Sequence, residues 1–134
     1  MGADHVLNYR EDPNWGETAR KLTPRQEGFH HVVDVGGPAT LQGAVKAVGN
    51  DGIITVIGFL TTGESPDLMQ TLYRGFVVRG VAIGSRLQFE EMVKCIEAND
   101  IKPVVDKVFK FDDAKNAYKH LESQNFTGKV VIEI

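Results

Sequence analysis

Two runs of aliphatic, mostly β-branched residues set the rhythm of this chain. His31-Val32-Val33-Asp34-Val35 closes on Gly36-Gly37, and Ile53-Ile54-Thr55-Val56-Ile57 closes on Gly58. Near-continuous apolar runs of this length predict strands covered on both faces in a parallel sheet. A glycine at the end suits a carboxyl edge that opens onto a ligand crevice. Around these runs the pattern predicts further elements. Val6-Leu7-Asn8-Tyr9 reads as a short strand, and Asp12-Pro13 as an N-cap and first helical position for a helix over residues 13–22. Gly16 weakens that helix, and Thr23-Pro24 ends it. The next strand covers about residues 30–35.

Leu41, Ala44, Val45 and Val48 fall at i, i+3, i+4 and i+7, one face of a helix opened by Gly37-Pro38. Gly49 is expected to stop it in the left-handed conformation, and Asn50-Asp51-Gly52 to turn the chain into a strand over residues 53–57. A loop from Thr61 to Pro66, a short helix around residues 67–73 and a strand over residues 76–83 follow. Ser85-Arg86-Leu87-Gln88 has the spacing of a capping box. It starts a helix over residues 88–98 with the apolar stripe Phe89, Met92, Val93 and Ile96. A strand over residues 104–109 comes next. Asp112 then caps a helix with Ala114, Ala117, Tyr118 and Leu121 on its core face, and a strand closes the chain over residues 129–134.

Strand–helix alternation up to about residue 98 predicts a parallel α/β sheet with right-handed crossovers. The last third, strand–helix–strand, has a different rhythm and reads as an appendage. The expected division is therefore 1–98 and 99–134.

Bulk properties remove several classes of function. The 134 residues carry a net charge of −3, with lysines and arginines spread along the chain. That argues against binding nucleic acid by phosphate neutralisation. No apolar run approaches the ~20 residues of a membrane span, and the first residues lack a basic and apolar leader pattern. A single cysteine, Cys95, can form neither an internal disulfide nor a multi-cysteine zinc site. A reducing, cytoplasmic setting is the expectation. His5, His30, His31 and His120 show no metal-ligand spacing. The glycine-rich phosphate turn of a dinucleotide-binding βαβ unit is also missing, because no two of the 14 glycines are separated by a single residue.

The order of elements and glycines closely resembles the medium-chain dehydrogenases, the zinc-type alcohol dehydrogenase and quinone oxidoreductase superfamily. The residues that carry the likeness are Gly2-Ala3-Asp4-His5-Val6-Leu7-Asn8-Tyr9, Val33-Asp34-Val35-Gly36-Gly37 and Gly52-Ile53-Ile54-Thr55-Val56-Ile57-Gly58. They continue with Arg79-Gly80-Val81-Ala82-Ile83-Gly84-Ser85 and Gly128-Lys129-Val130-Val131-Ile132. The resemblance implies an incomplete Rossmann-like sheet that lacks its first βαβ unit, with residues 99–134 corresponding to the segment that returns to the family's catalytic domain. Zinc, where a family member uses it, would be held by residues outside this stretch.

Position by position, Gly36, Gly37 and Pro38 resemble the segment beside the adenosine half of NAD(P). Ile57, Gly58 and Phe59 resemble the segment under the nicotinamide ribose and carboxamide. Val81 and Ile83 resemble the positions whose backbone groups hold the carboxamide. Each has a plainer reading as a strand-to-helix turn or a buried strand residue. Asp34 reads more readily as the cap of a neighbouring turn than as a catalytic carboxylate, and no catalytic residue is assigned. Arg79 and Arg86 read as solvent-exposed, and Cys95 as structural.

In the family's strand order the missing strands lie between residues 6–9 and 31–35. Direct pairing of those two segments is expected, giving a four-strand sheet, with pairing supplied by another chain as the alternative. Edge-to-edge dimerisation through the strand at 76–83 is a further expectation. The implied function is the cofactor-domain part of an NAD(P)-dependent oxidoreductase that moves a hydride between nicotinamide and an alcohol, aldehyde or quinone. The chain alone is expected to be inactive and to bind NAD(P) weakly or not at all. A non-enzymatic binding or dimerisation module is the alternative, and a receiver- or flavodoxin-like domain a weaker one.

Overall fold

A computed structural model describes residues 2–134. They form two compact units, divided between Gly84 and Ser85. The boundary expected at 98/99 falls inside the second unit, just after its first helix.

The first unit runs α1 (Trp15–Lys21), β1 (Phe29–Asp34), α2 (Pro38–Ala47), β2 (Val48–Val56), α3 (Met69–Arg74) and β3 (Val77–Gly80). The three strands form one parallel sheet in the order β1-β2-β3. Its register sets Asp34 beside Val56 and Val56 beside Gly80, so the carboxyl ends of all three strands finish level. The core is small: Ala44, Val45, Val48, Ile54 and Phe76 are buried, with Trp15, Val32, Leu41 and Val56 packed against them. Gly16 does more than weaken α1. A side chain there would come within 2.2 Å of the Gly43 carbonyl oxygen, so glycine lets the two helices touch. The Trp15 indole in turn fills the space a Cβ on Gly43 would need.

Several expectations for this unit are corrected. Residues 6–9 do not form a strand and do not pair with β1. The Asn8 carbonyl accepts from the amides of Glu11 and Asp12, and the Asn8 side chain accepts from the Arg10 amide. The chain is thus bent away as a turn at the point where a ladder would need it straight. A groove of about 720 Å³, lined by Asp4, Leu7, Trp15, Phe29, His31 and Val33, occupies the place where pairing was expected. The four-strand order is therefore not formed.

Gly49 does not stop α2 in the left-handed conformation; it lies inside β2. Two arginines replace it as the cap. Arg20 donates to the Val48 carbonyl at 2.7 Å, and Arg74 donates to the carbonyls of Val45 and Val48. Cations at this position satisfy the orphan carbonyls of a helix end. Burial, and then the nearby charge of Arg20, pull the Arg74 guanidinium below its usual range. The Asn50-Asp51-Gly52 turn becomes an irregularity within β2. Asp51 takes φ 57°, and the register jumps between Phe29↔Val48 and His31↔Ile53. The strand expected over 76–83 is shorter, although the Val81 amide still donates to Val56 at 3.0 Å.

The second unit runs α4 (Arg86–Ala98), β4 (Val105–Lys110), α5 (Ala114–Glu122) and β5 (Lys129–Glu133), with β4 and β5 parallel. The capping box at the start of α4 is present: the Gln88 amide donates to the Ser85 hydroxyl, and the Ser85 amide to the Gln88 side chain. The stripe on α4 is not a buried core face, since Phe89 and Met92 are exposed and Val93 and Ile96 half-buried. On α5, Ala117 is buried and Ala114 half-buried, but Tyr118 and Leu121 are exposed, so the expected core face shrinks to its small residues. Asp112 is not the cap. It lies in a 3₁₀ turn, Phe111–Asp113, that brings the chain off β4, and α5 begins one residue after that turn.

Candidate functional site

The site of interest is the carboxyl edge of the β1-β2-β3 sheet. A parallel β-α-β path must deliver each chain end to the same edge, so the turns after β1 and β2 become neighbours. The turn after β1 is built by Asp34, which is 5% exposed. One carboxylate oxygen accepts from the Gly37 amide and the other from the Thr40 hydroxyl, each at 2.7 Å. Asp34 is the cap of this turn, as its position at the strand end suggested. Each of its oxygens thus accepts a hydrogen bond from this turn.

Gly37 has φ 92°, in the region that favours glycine, and a Cβ there would lie 2.8 Å from the Phe59 Cα. Gly58 is more constrained still, because a Cβ would lie 2.1 Å from the Val35 carbonyl oxygen. The Ile57 amide donates to the Asp34 carbonyl at 2.9 Å. Gly36, Gly37 and Pro38 are thereby brought against Ile57, Gly58 and Phe59. These two glycine turns form one continuous surface.

Val81 joins them through its bond to Val56, while Ile83 lies beyond the ladder and is 88% exposed. Apolar side chains stand open at the edge: Phe59 is 89% and Leu60 82% exposed, and Val35 and Ile57 are about half exposed. The space between Val33, Val35, Gly36, Thr40, Tyr9 and Trp15 is a shallow cleft of about 260 Å³.

The amino end of α2 is not a phosphate site. The Gly37 amide is taken by Asp34, the Ala39 amide by the Thr61 hydroxyl, and the Thr40 amide by the Gly37 carbonyl. An anion would find those donors spent. For zinc the fit is poor as well. Among the described residues no three His, Cys, Asp or Glu side chains converge, and Cys95 is exposed on α4. Arg79 and Arg86 are exposed, and Arg86 pairs with Glu90 at 2.8 Å on its own helix.

Sequence reasoning missed Thr61. Its amide and hydroxyl both donate to the Gly36 carbonyl, at 2.9 and 2.8 Å. It sits in a polar loop 25 positions from Gly36, and no local pattern marks it.

Comparison with known proteins places this edge in context. Residues 1–132 match the family model described as zinc-binding dehydrogenase. A zinc-type alcohol dehydrogenase-like protein of Schizosaccharomyces pombe is 45% identical over the whole chain, which spans 40% of that relative's length. An NAD-dependent alcohol dehydrogenase of Sulfolobus acidocaldarius is 26% identical, again over the whole chain and 38% of the relative. Among solved structures, one named as an NAD-dependent alcohol dehydrogenase is 30% identical with a TM-score of 0.78. It covers 99% of this chain, which corresponds to 38% of that one. The chain thus spans about two-fifths of the length of the relatives it matches.

Proposed function

The chain belongs to the zinc-binding dehydrogenase family, and on that premise we propose that its sheet edge is the floor of a nicotinamide dinucleotide site. The observation that carries the proposal is the contact between the two glycine turns, Gly36-Gly37-Pro38 and Ile57-Gly58-Phe59. A flat ring needs a backbone surface without intervening side chains and an apolar wall beside it. The glycines supply the first, and Ile57 and Phe59 the second. Val81 spends its amide on Val56, so its carbonyl is the group available to accept from a carboxamide, with Ile83 farther along the same segment.

In this reading residues 1–98 are the partial dinucleotide-binding portion and residues 99–134 the segment returning to a catalytic domain. The nicotinamide, when bound, supplies or takes up the hydride exchanged with an alcohol, aldehyde or quinone in the whole protein. This chain's residues orient the ring and shield one face from water. Among the described residues they provide no phosphate clamp and no cluster of zinc ligands, so in this reading the chain alone has no dehydrogenase activity and holds NAD(P) only weakly.

A ¹⁵N-labelled sample titrated with NADH tests this. Shifts confined to residues 36–38, 57–59 and 81–83, saturating only at millimolar NADH, are expected. Micromolar affinity would show that the missing clamp is not needed, and shifts elsewhere or none at all would remove the floor.

A second reading is a non-enzymatic module that dimerises through β3. The outer edge of β3 is unpaired within the sheet, and its residues Val77, Val78, Arg79 and Gly80 are all exposed. An open strand edge is a template for pairing, and a homodimer through residues 76–83 follows in either reading.

A further inference from the structure

Thr61 reaches the turn after β1 through three hydrogen bonds. Besides its two donations to Gly36, its hydroxyl accepts from the Ala39 amide at 3.1 Å. A hydroxyl has one proton and two lone pairs, so both side-chain bonds form in a single rotamer. Thr61 is half-buried, whereas Thr62, Gly63, Glu64 and Ser65, next along the loop, are exposed. The latch closes two residues after Phe59 and grips the residues on either side of Gly37-Pro38.

We infer that Thr61 is a positioning residue for the dinucleotide: its hydroxyl holds the adenosine-side and nicotinamide-side turns in one fixed relation. This rests on the floor proposed above. The geometry carries it, because the hydroxyl stands two residues along the chain from Phe59 and bonds the first turn at two points. It takes an acceptor, Gly36, and a donor, Ala39, that flank Gly37 and Pro38. The Ile57–Asp34 ladder bond fixes the start of the second turn, but Phe59 lies beyond that bond. Among the described residues, the packing of Gly37 on Phe59 and the Thr61 latch hold the backbone past that bond.

The full 134-residue chain serves for the test, as wild type, Thr61→Val and Thr61→Ser. Valine keeps the shape and the backbone bond to Gly36 but loses the hydroxyl, and serine restores it. Thr61→Val should speed exchange of the Ala39 amide by about fivefold, the loss of one hydrogen bond. It should move amide shifts in both 36–39 and 57–59. It should also abolish the NADH-induced shifts in the two turns together, while the unfolding midpoint read at Trp15 stays within a fraction of its original value. Thr61→Ser should recover both. NADH shifts that persist in Thr61→Val, or that vanish equally in Thr61→Ser, would overturn the role. A wild-type chain without NADH shifts would instead remove the floor itself, and the positioning role with it.

Discussion

The imidazole Nε2 of His120 on α5 lies 2.7 Å from a carboxylate oxygen of Asp106 on β4, and the rings of Phe109 and Phe126 are centred 5.8 and 5.7 Å from the imidazole ring. The other Asp106 oxygen accepts from the Thr127 amide, just before β5. One side chain thus ties together all three elements of the strand–helix–strand motif, in a unit whose buried apolar residues among those described are Phe109 and Ala117.

The bond from His120, followed by that from Thr127, holds the Asp106 carboxyl below the usual aspartate range. A depressed carboxyl contributes stability above its unfolded-state pKa, and that contribution is lost as pH falls through the folded value. Protection of the β4 and β5 amides should therefore drop as pH goes below the ordinary aspartate range. In Asp106→Asn this acid-dependent step should vanish, leaving lower protection at neutral pH. Hydrogen exchange by mass spectrometry across that range, corrected for intrinsic rates, checks it. An unchanged acid step in the variant would assign the effect to other carboxylates.

Gly58→Ala should destabilise the first unit by about 1–3 kcal/mol, because its Cβ meets the backbone oxygen of Val35 rather than a flexible side chain. Gly80 is the control. Nothing lies within 4 Å of a Cβ there, and its φ is not positive, so Gly80→Ala should be close to neutral. Urea unfolding followed by the single tryptophan, Trp15, measures both.

Asp34→Ala should cost about 1–3 kcal/mol by leaving the Gly37 amide without its buried acceptor, while the Thr40 hydroxyl falls back on the Gly37 carbonyl. The same tryptophan signal reports it. The amides of Gly37 and Thr40 should shift more than those of the second unit.

Sedimentation should find a dimer that Val78→Pro converts to monomer. Val81 donates inward to Val56, and strand alternation then turns the amide of Val78 outward. Proline at 78 removes a donor from the free edge and leaves the β2–β3 ladder intact. A wild-type monomer would rule out this edge as the interface.

Much of the chain was legible where the determining interaction is local. The capping box needs only Ser85 and Gln88, one helical turn apart, and it forms as read. The β-branched runs at 31–35 and 53–57 declare their strands through local strand propensity, but the cover expected on both faces is missing at the first run, where Val33 and Val35 are exposed beside the groove. Asp34 as a turn cap follows from its place at a strand end before Gly37 and Thr40.

The misreadings share a different cause. Gly49 carries the local signature of a helix stop, yet the carbonyls it would have served are taken by Arg20 and Arg74, 28 and 26 positions from Val48. Tyr118 and Leu121 have correct helical spacing, but nothing in their unit covers them. Residues 6–9 have strand propensity, but a strand exists only when a neighbour completes its ladder.

By itself, then, the sequence determined the order of elements from residue 13 onward, the parallel α/β class and the family. Each depends on short-range periodicity or on glycines at fixed places after strands. The tertiary structure decided which surfaces meet: Gly37 against Phe59, Thr61 across to Gly36, His120 onto Asp106, and an open groove beside β1. The reason is physical. Hydrogen bonds and close backbone contacts between residues more than ten positions apart depend on how the elements pack, and periodicity along the chain does not encode that.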